Sequence, residues 1–135
     1  MNSIVILGAK RTALGALLGQ FTGVAATHLG ATAIKAAMDQ SGVKPESIDE
    51  VIMGCVLPAG LGQAPARQAA LGAGVPASAG ATTINKVCGS GMKAVMFASD
   101  LIKAGSAEVV VAGGMESMTN APHLLLKGRS GIRIG

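Results

Sequence analysis

Tryptophan and tyrosine are absent from these 135 residues, and Phe21 and Phe97 are the only aromatics. That excludes a nucleic-acid surface built on stacked bases. The basic residues are scattered apart from Lys127, Arg129 and Arg133 near the end, so no basic stripe compensates. Charged residues make up only 13% of the chain while half of it is apolar, which excludes a disordered, charge-rich segment. No apolar run nears the ~18 residues of a membrane span, and no charged–apolar–small signal precedes the first apolar segment. Two cysteines, Cys55 and Cys88, make no disulfide framework. An intracellular, cytoplasmic protein with no nucleic-acid or membrane partner is the expectation.

What the chain does have is glycine, 20 residues of it, about twice the roughly 7% average usage. Glycine at that level points to tight strand–helix turns and close backbone packing. With so few aromatics, the core must be built from Ala, Val, Ile, Leu and Met. The length gives a prior of one domain with room for a real core.

Punctuation by Gly and Pro divides the chain. Ser3 to Leu7 predicts a short buried strand, and Lys10 to Thr22 is glycine-rich and irregular. Thr27 is placed to cap a helix running to about Gln40, stopped by Ser41-Gly42. Val51-Ile52-Met53 centres a second strand, and Pro58 breaks it. Ala64 to Ala73 predicts a short helix. Ala81 to Val87 predicts a third strand, and Gly89 to Ala104 the strongest helix. Glu108 to Ala112 predicts a fourth strand, with Val109, Val110 and Val111 buried on both faces. Alternating strands and helices predict an α/β domain with a mainly parallel sheet. In the Gly89–Ala104 helix, Lys93, Asp100 and Lys103 form one narrow stripe and apolar residues occupy most of the rest. Such a helix should be covered on several sides.

The segment Asn85-Lys86-Val87-Cys88-Gly89-Ser90-Gly91-Met92-Lys93-Ala94-Val95 is the most informative in the chain. A thiol stands between a strand and a helix and is followed by two glycines. Free N–H groups and the positive dipole end of a helix stabilise a thiolate. The same backbone N–H groups are candidates for holding a developing oxyanion. A buried, inert thiol accounts for the placement equally well. A third reading overlaps both. Gly89-Ser90-Gly91-Met92-Lys93-Ala94 fits the G-x-G-x-x-A phosphate-binding fingerprint, with Glu116 at a tolerable distance for a ribose. That would make the chain a dinucleotide- or phosphate-binding module using the Gly89/Gly91 turn, although it leaves Cys88 unexplained.

Residue identity adds to the spacing. Asn85-Lys86-Val87-Cys88-Gly89-Ser90-Gly91 resembles the acyl-enzyme signature of the thiolases. Val111-Ala112-Gly113-Gly114-Met115-Glu116-Ser117-Met118 followed by Ala121-Pro122-His123, Gly8-Ala9-Lys10-Arg11-Thr12, and Gln63-Ala64-Pro65-Ala66-Arg67-Gln68 also resemble segments of that family. The resemblance runs over essentially the whole chain and in order.

The resemblance implies acyl transfer through a cysteine thioester, in Claisen condensation or in thiolysis of acetoacetyl-CoA. Cys88 would be the acyl-thioester nucleophile and its backbone N–H an oxyanion donor. Acetyl-CoA and acetoacetyl-CoA would be substrates, so coenzyme A enters as a thioester rather than as a cofactor, and no metal is implied. Family members form homodimers or tetramers. The implied fold is the first α/β half of the thiolase fold, a mainly parallel mixed sheet with a buried nucleophile helix, here without its fifth strand and the second half. Residues 1–118 would be the α/β domain and 119–135 the start of the family's loop region. The family's catalytic histidine, second cysteine and oxyanion-holding asparagine belong to the other half, so this chain alone is expected to be inactive. His123 matches a loop-region histidine, not the base, and His28 is expected on an exposed helix face. Cys55 is expected to be a packed core thiol, and Lys86 and Lys93 solvated or structural. Met115 and Met118 would line an acyl pocket or a subunit contact by resemblance, and are core fillers by composition.

Overall fold

The central strand β1, Glu50–Gly54, explains the architecture. Its Val51, Ile52 and Met53 are almost inaccessible to solvent, as expected of a strand covered on both faces. Successive side chains of a strand point to opposite sides, and the computed structural model, which describes residues 3–132, shows what each side meets. Val51, Met53 and the adjoining Cys55 pack into one cluster with Ile34, Met38, Ala66, Ala69 and Ala70. These come from helices α1, Ala26–Ser41, and α2, Pro65–Gly72. Ile52 and Gly54 face helix α3, Ser90–Lys103, which buries Ser90, Ala94 and Ala98. Alanines at these contacts let the helices approach closely without aromatic filler. Burying a side chain such as Val51 or Met53 contributes roughly 1.5–3 kcal/mol.

β1 lies between β2, Gly80–Ile84, and β3, Val110–Gly114, in the order β2-β1-β3. Both pairings are parallel, with Gly54 opposite Ile84 on one side and Gly114 on the other. The carboxyl ends of all three strands therefore finish on one edge. This is the α/β class expected from the sequence, with fewer strands.

Helix ends follow the glycines. Gly42, at φ 69°, ends α1 and donates its N–H to Met38 O. Gly105, at φ 71°, ends α3 in a Schellman arrangement, with Ser106 N donating to Leu101 O and Gly105 N to Ile102 O. Thr27 does not cap α1. The helix begins two residues earlier than a Thr27 cap would set it, Ala25 holds the cap position, and Thr27 is buried inside the first turn. The entry is instead fixed by Asn120, whose amide donates to Val24 O and accepts from Gly23 N.

Three further expectations differ. Ser3–Leu7 forms no strand, and Ile6 is 81% exposed. A strand needs a ladder partner for its backbone. This segment is anchored through α1, where Ala9 N donates to Gln40 Oε1. The sheet thus has three strands rather than four among the described residues. Val109, Val110 and Val111 are half-buried, because β3 is an edge strand with one neighbour. Helix α3, expected to be buried, is covered on one face only: Met92 is 74% exposed, and Val95, Met96 and Phe97 are exposed too. The all-round apolar surface read from the sequence is present, and nothing among the described residues lies against its outer side.

Candidate active site

The loops at the carboxyl edge of the sheet converge on one turn. Ligands of open α/β sheets bind outside this edge. After β2 the chain makes a tight elbow, residues 85–90, and enters α3. Val87 adopts φ 48°, a left-handed conformation that a β-branched residue rarely takes. The elbow holds itself in that shape. Val87 N donates to Asn85 Oδ1 at 2.9 Å, Gly89 N to Lys86 O at 3.1 Å, and Ser90 N to Val87 O at 3.1 Å. The Ser90 hydroxyl, buried within the turn, donates to Val87 O at 2.6 Å and accepts from Lys86 N at 2.8 Å. Cys88 stands at the apex, exposed, immediately before the helix cap residue Gly89. The N–H groups of Gly91 and Met92, in the first turn of α3, take no backbone acceptor, as orphan donors of a helix start do.

Two glycines allow the helix to start there. A β-carbon on Gly54 would stand 2.6 Å from Ser90 Cβ. One on Gly114 would stand 3.2 Å from Gly91 Cα. Gly54 and Gly114 therefore seat α3 on the ends of β1 and β3, whereas a β-carbon on Gly91 would meet Gly114 at an ordinary 3.6 Å. Gly89, by contrast, meets only Lys86 O, at 3.4 Å.

Glu116 does not wait for a ribose. One carboxylate oxygen accepts from Val56 N at 2.9 Å, and the other from Leu57 N at 3.0 Å and from the Cys55 thiol at 3.6 Å. Both oxygens are committed to the loop after β1. The Glu116 carboxylate thus anchors a loop rather than facing open space. The sequence singled out Glu116 for the wrong task. The contact spans sixty residues, and no spacing signal announces it.

The two cysteines are separated in environment. Cys55 is 1% exposed, the packed core thiol expected. Burial, with the Glu116 carboxylate beside it, pushes its pKa up to about 11. His28 is exposed on α1 and His123 is exposed in the segment after the 3-10 turn Met118–Asn120. Lys93 lies 4.2 Å over the Phe97 ring, a structural contact. Met115 is buried against Gly30, whereas Met118 is exposed. Lys127 and Arg129 are exposed, and Arg133 lies outside the described residues. No helix among the described residues is long and apolar enough to cross a membrane.

Comparison with known proteins finds relatives along the chain. A family profile described as "Thiolase, N-terminal domain" matches residues 4–135. The chain is 58% identical over 135 residues to an acetyl-CoA acetyltransferase of Cupriavidus necator, covering all of this chain and 34% of that protein. It is 54% identical over 134 residues to acetyl-CoA acetyltransferase 2 of Arabidopsis thaliana, covering 99% of this chain and 33% of that protein. It is 47% identical to a probable acetyl-CoA acetyltransferase of Escherichia coli, again over all of this chain and 34% of the relative. The chain thus spans about a third of the length of these relatives.

Proposed function

The chain belongs to the thiolase family, and from that premise we propose that it is the N-terminal part of an acetyl-CoA C-acetyltransferase in which Cys88 accepts the acyl group. One observation carries the reading: Cys88 is an exposed thiol at the apex of a self-bonded elbow, on the carboxyl edge of a parallel sheet and one residue before a helix cap.

In this reading the Cys88 thiolate attacks the carbonyl carbon of acetyl-CoA. The carbonyl electrons move onto oxygen, and the Cys88 backbone N–H is one donor to that oxyanion. The oxyanion collapses, the C–S bond to coenzyme A breaks, and coenzyme A leaves as its thiolate. The acetyl group remains on sulfur as a thioester, which keeps its carbonyl electrophilic. A second acetyl-CoA, deprotonated at its α-carbon, then attacks the thioester. Cys88 leaves as thiolate and acetoacetyl-CoA forms. Thiolysis is the same sequence reversed.

The α-proton needs a base near Cys88. The chain contains two histidines and one other cysteine. Cys55 is buried against Glu116, and the resemblance gives neither histidine that task. We therefore assign the base to the part of the family architecture outside this sequence, and read this chain as inactive alone. On the same resemblance, residues 1–118 form the α/β domain and 119–135 open the loop region. The reading extends to a cytoplasmic homodimer or tetramer in fatty acid metabolism.

Limited alkylation of the chain with iodoacetamide, followed by peptide mass mapping, tests the nucleophile. Cys88 should label well before Cys55; preferential labelling of Cys55 would overturn the assignment. Thiolysis of acetoacetyl-CoA by the purified chain at rates usual for enzymes, on the order of 1–1000 per second, would overturn the assignment of the base elsewhere.

A further inference from the structure

Residue Val56 is held at both of its backbone polar groups. Its N–H donates to Glu116 at 2.9 Å, and its carbonyl accepts from Asn85 Nδ2 at 3.4 Å. Asn85 turns its other end to the elbow, where Oδ1 accepts from Val87 N at 2.9 Å. Three segments far apart in sequence are thereby linked: the loop after β1, the residue after Met115, and the turn that presents the thiol. The Glu116 carboxylate also holds Leu57 N and the Cys55 thiol, so it is satisfied by three donors. Charge-assisted hydrogen bonds of this kind are the stronger ones. Val87, at φ 48°, is a conformation that persists only where its surroundings impose it.

We propose that Glu116 and Asn85 are positioning residues for Cys88: together they clamp residue Val56 through its N–H and its carbonyl, and Asn85 passes that constraint to Val87, the residue before the thiol. The proposal rests on the reading of Cys88 as acyl acceptor for its functional meaning, but the coupling between Glu116 and Val87 stands without it. Neither residue touches substrate in this scheme. Their task is to keep the elbow in one shape while the cysteine is acylated and released. Ser90 secures the elbow from within. The Glu116–Val56–Asn85 relay secures it from the neighbouring loop.

The test is amide hydrogen exchange by NMR on the 135-residue chain, read beside the rate of Cys88 alkylation by iodoacetamide. Glu116→Gln leaves one oxygen where two accept. Protection should fall about tenfold at Val56 and Leu57, and by a comparable factor at Val87, with the Cys88 rate changed several-fold and Ile34 in α1 as in wild type. Loss confined to Val56 and Leu57, with Val87 and Cys88 unchanged, would overturn the relay. If Glu116→Gln does not fold, Asn85→Ala reads the coupling from the other end, since coupling free energies are reciprocal. Leu57, bonded to Glu116 and not to Asn85, should then lose protection; an unchanged Leu57 would overturn the relay. Wild-type labelling that favours Cys55 would defeat the acyl-acceptor reading while leaving the Val87 coupling to be decided on its own.

Discussion

Gly54 and Ser90 touch: a β-carbon on Gly54 would stand 2.6 Å from both the carbonyl carbon and the Cβ of Ser90. The end of the central strand and the start of α3 are packed to the limit of atomic size. The obstructing atoms include backbone, so they do not swing aside. Gly54→Ala should therefore displace the start of α3 and destabilise the fold by about 1–3 kcal/mol, the usual range for overpacking. Urea denaturation measures this as a lower midpoint. An unchanged midpoint would mean that α3 is free to shift and that the elbow is not seated on β1.

Ser90 should matter as much through its hydroxyl. It donates to Val87 O and accepts from Lys86 N, closing the turn around Cys88 from inside. Ser90→Ala removes both bonds and leaves the Lys86 N–H without that partner. Losing a partner for a shielded donor costs about 1–3 kcal/mol. We expect reduced stability together with an altered Cys88 alkylation rate. Reduced stability with unaltered Cys88 chemistry would confine Ser90 to the general fold.

Much of this was legible in the sequence, and the failures have physical causes. Val51-Ile52-Met53 announced a doubly covered strand because both faces needed apolar side chains. The strand–helix junction around Cys88 was legible from Gly89 and Gly91, while the exposure of the thiol was not, since a buried thiol fitted the same placement. Ser3–Leu7 misled because an apolar run states only the wish for burial; whether a strand forms depends on a partner edge. Glu116 misled because local spacing fitted a fingerprint while its actual partners, Val56 and Leu57, lie across the sheet edge. Gly54 and Gly114, the glycines that seat α3, stand outside that fingerprint. A glycine that seats a helix and a glycine that cradles a phosphate look alike in a sequence.

Asp49 should govern part of the acid limb. Its carboxylate accepts from Glu108 N at 2.7 Å and Val109 N at 3.0 Å, tying the turn before β1 to the start of β3. These bonds, that to Val109 first, hold its carboxyl below the ordinary value of 3.8. A depressed folded pKa gives stability that is present above the unfolded value and lost as pH falls through the folded one. Wild type should lose urea resistance below about pH 3.8 more steeply than Asp49→Asn. Superimposable acid limbs would show that Asp49 contributes nothing there.

Cys55 should govern part of the alkaline limb, with the opposite sign. Its folded pKa is raised from 9.0 to about 11, by burial first and the Glu116 charge second. The fold therefore favours the neutral thiol. That preference is fully present below pH 9, and stability declines as the unfolded thiol ionises, until the folded thiol titrates near 11. Cys55→Ser, which does not titrate in this window, should show a flatter profile between pH 9 and 11. Equal slopes in the two proteins would remove Cys55 from the account.

The outer face of α3 makes the last prediction. Met92, Val95, Met96 and Phe97 are exposed on consecutive turns, Met92 at 74%. A contiguous apolar patch of this kind marks a surface built for contact. The folded chain should bind the dye ANS under conditions where its thermal transition is still cooperative. Replacing Met92 and Met96 by Lys should reduce that binding and improve solubility. Stability should change by no more than about 0.5 kcal/mol, since the two side chains bury little against the chain itself. Undiminished dye binding would place the exposed apolar surface elsewhere, with Ile4–Leu7 the next segment to substitute. A large loss of stability would show instead that this face of α3 is packed within the folded chain.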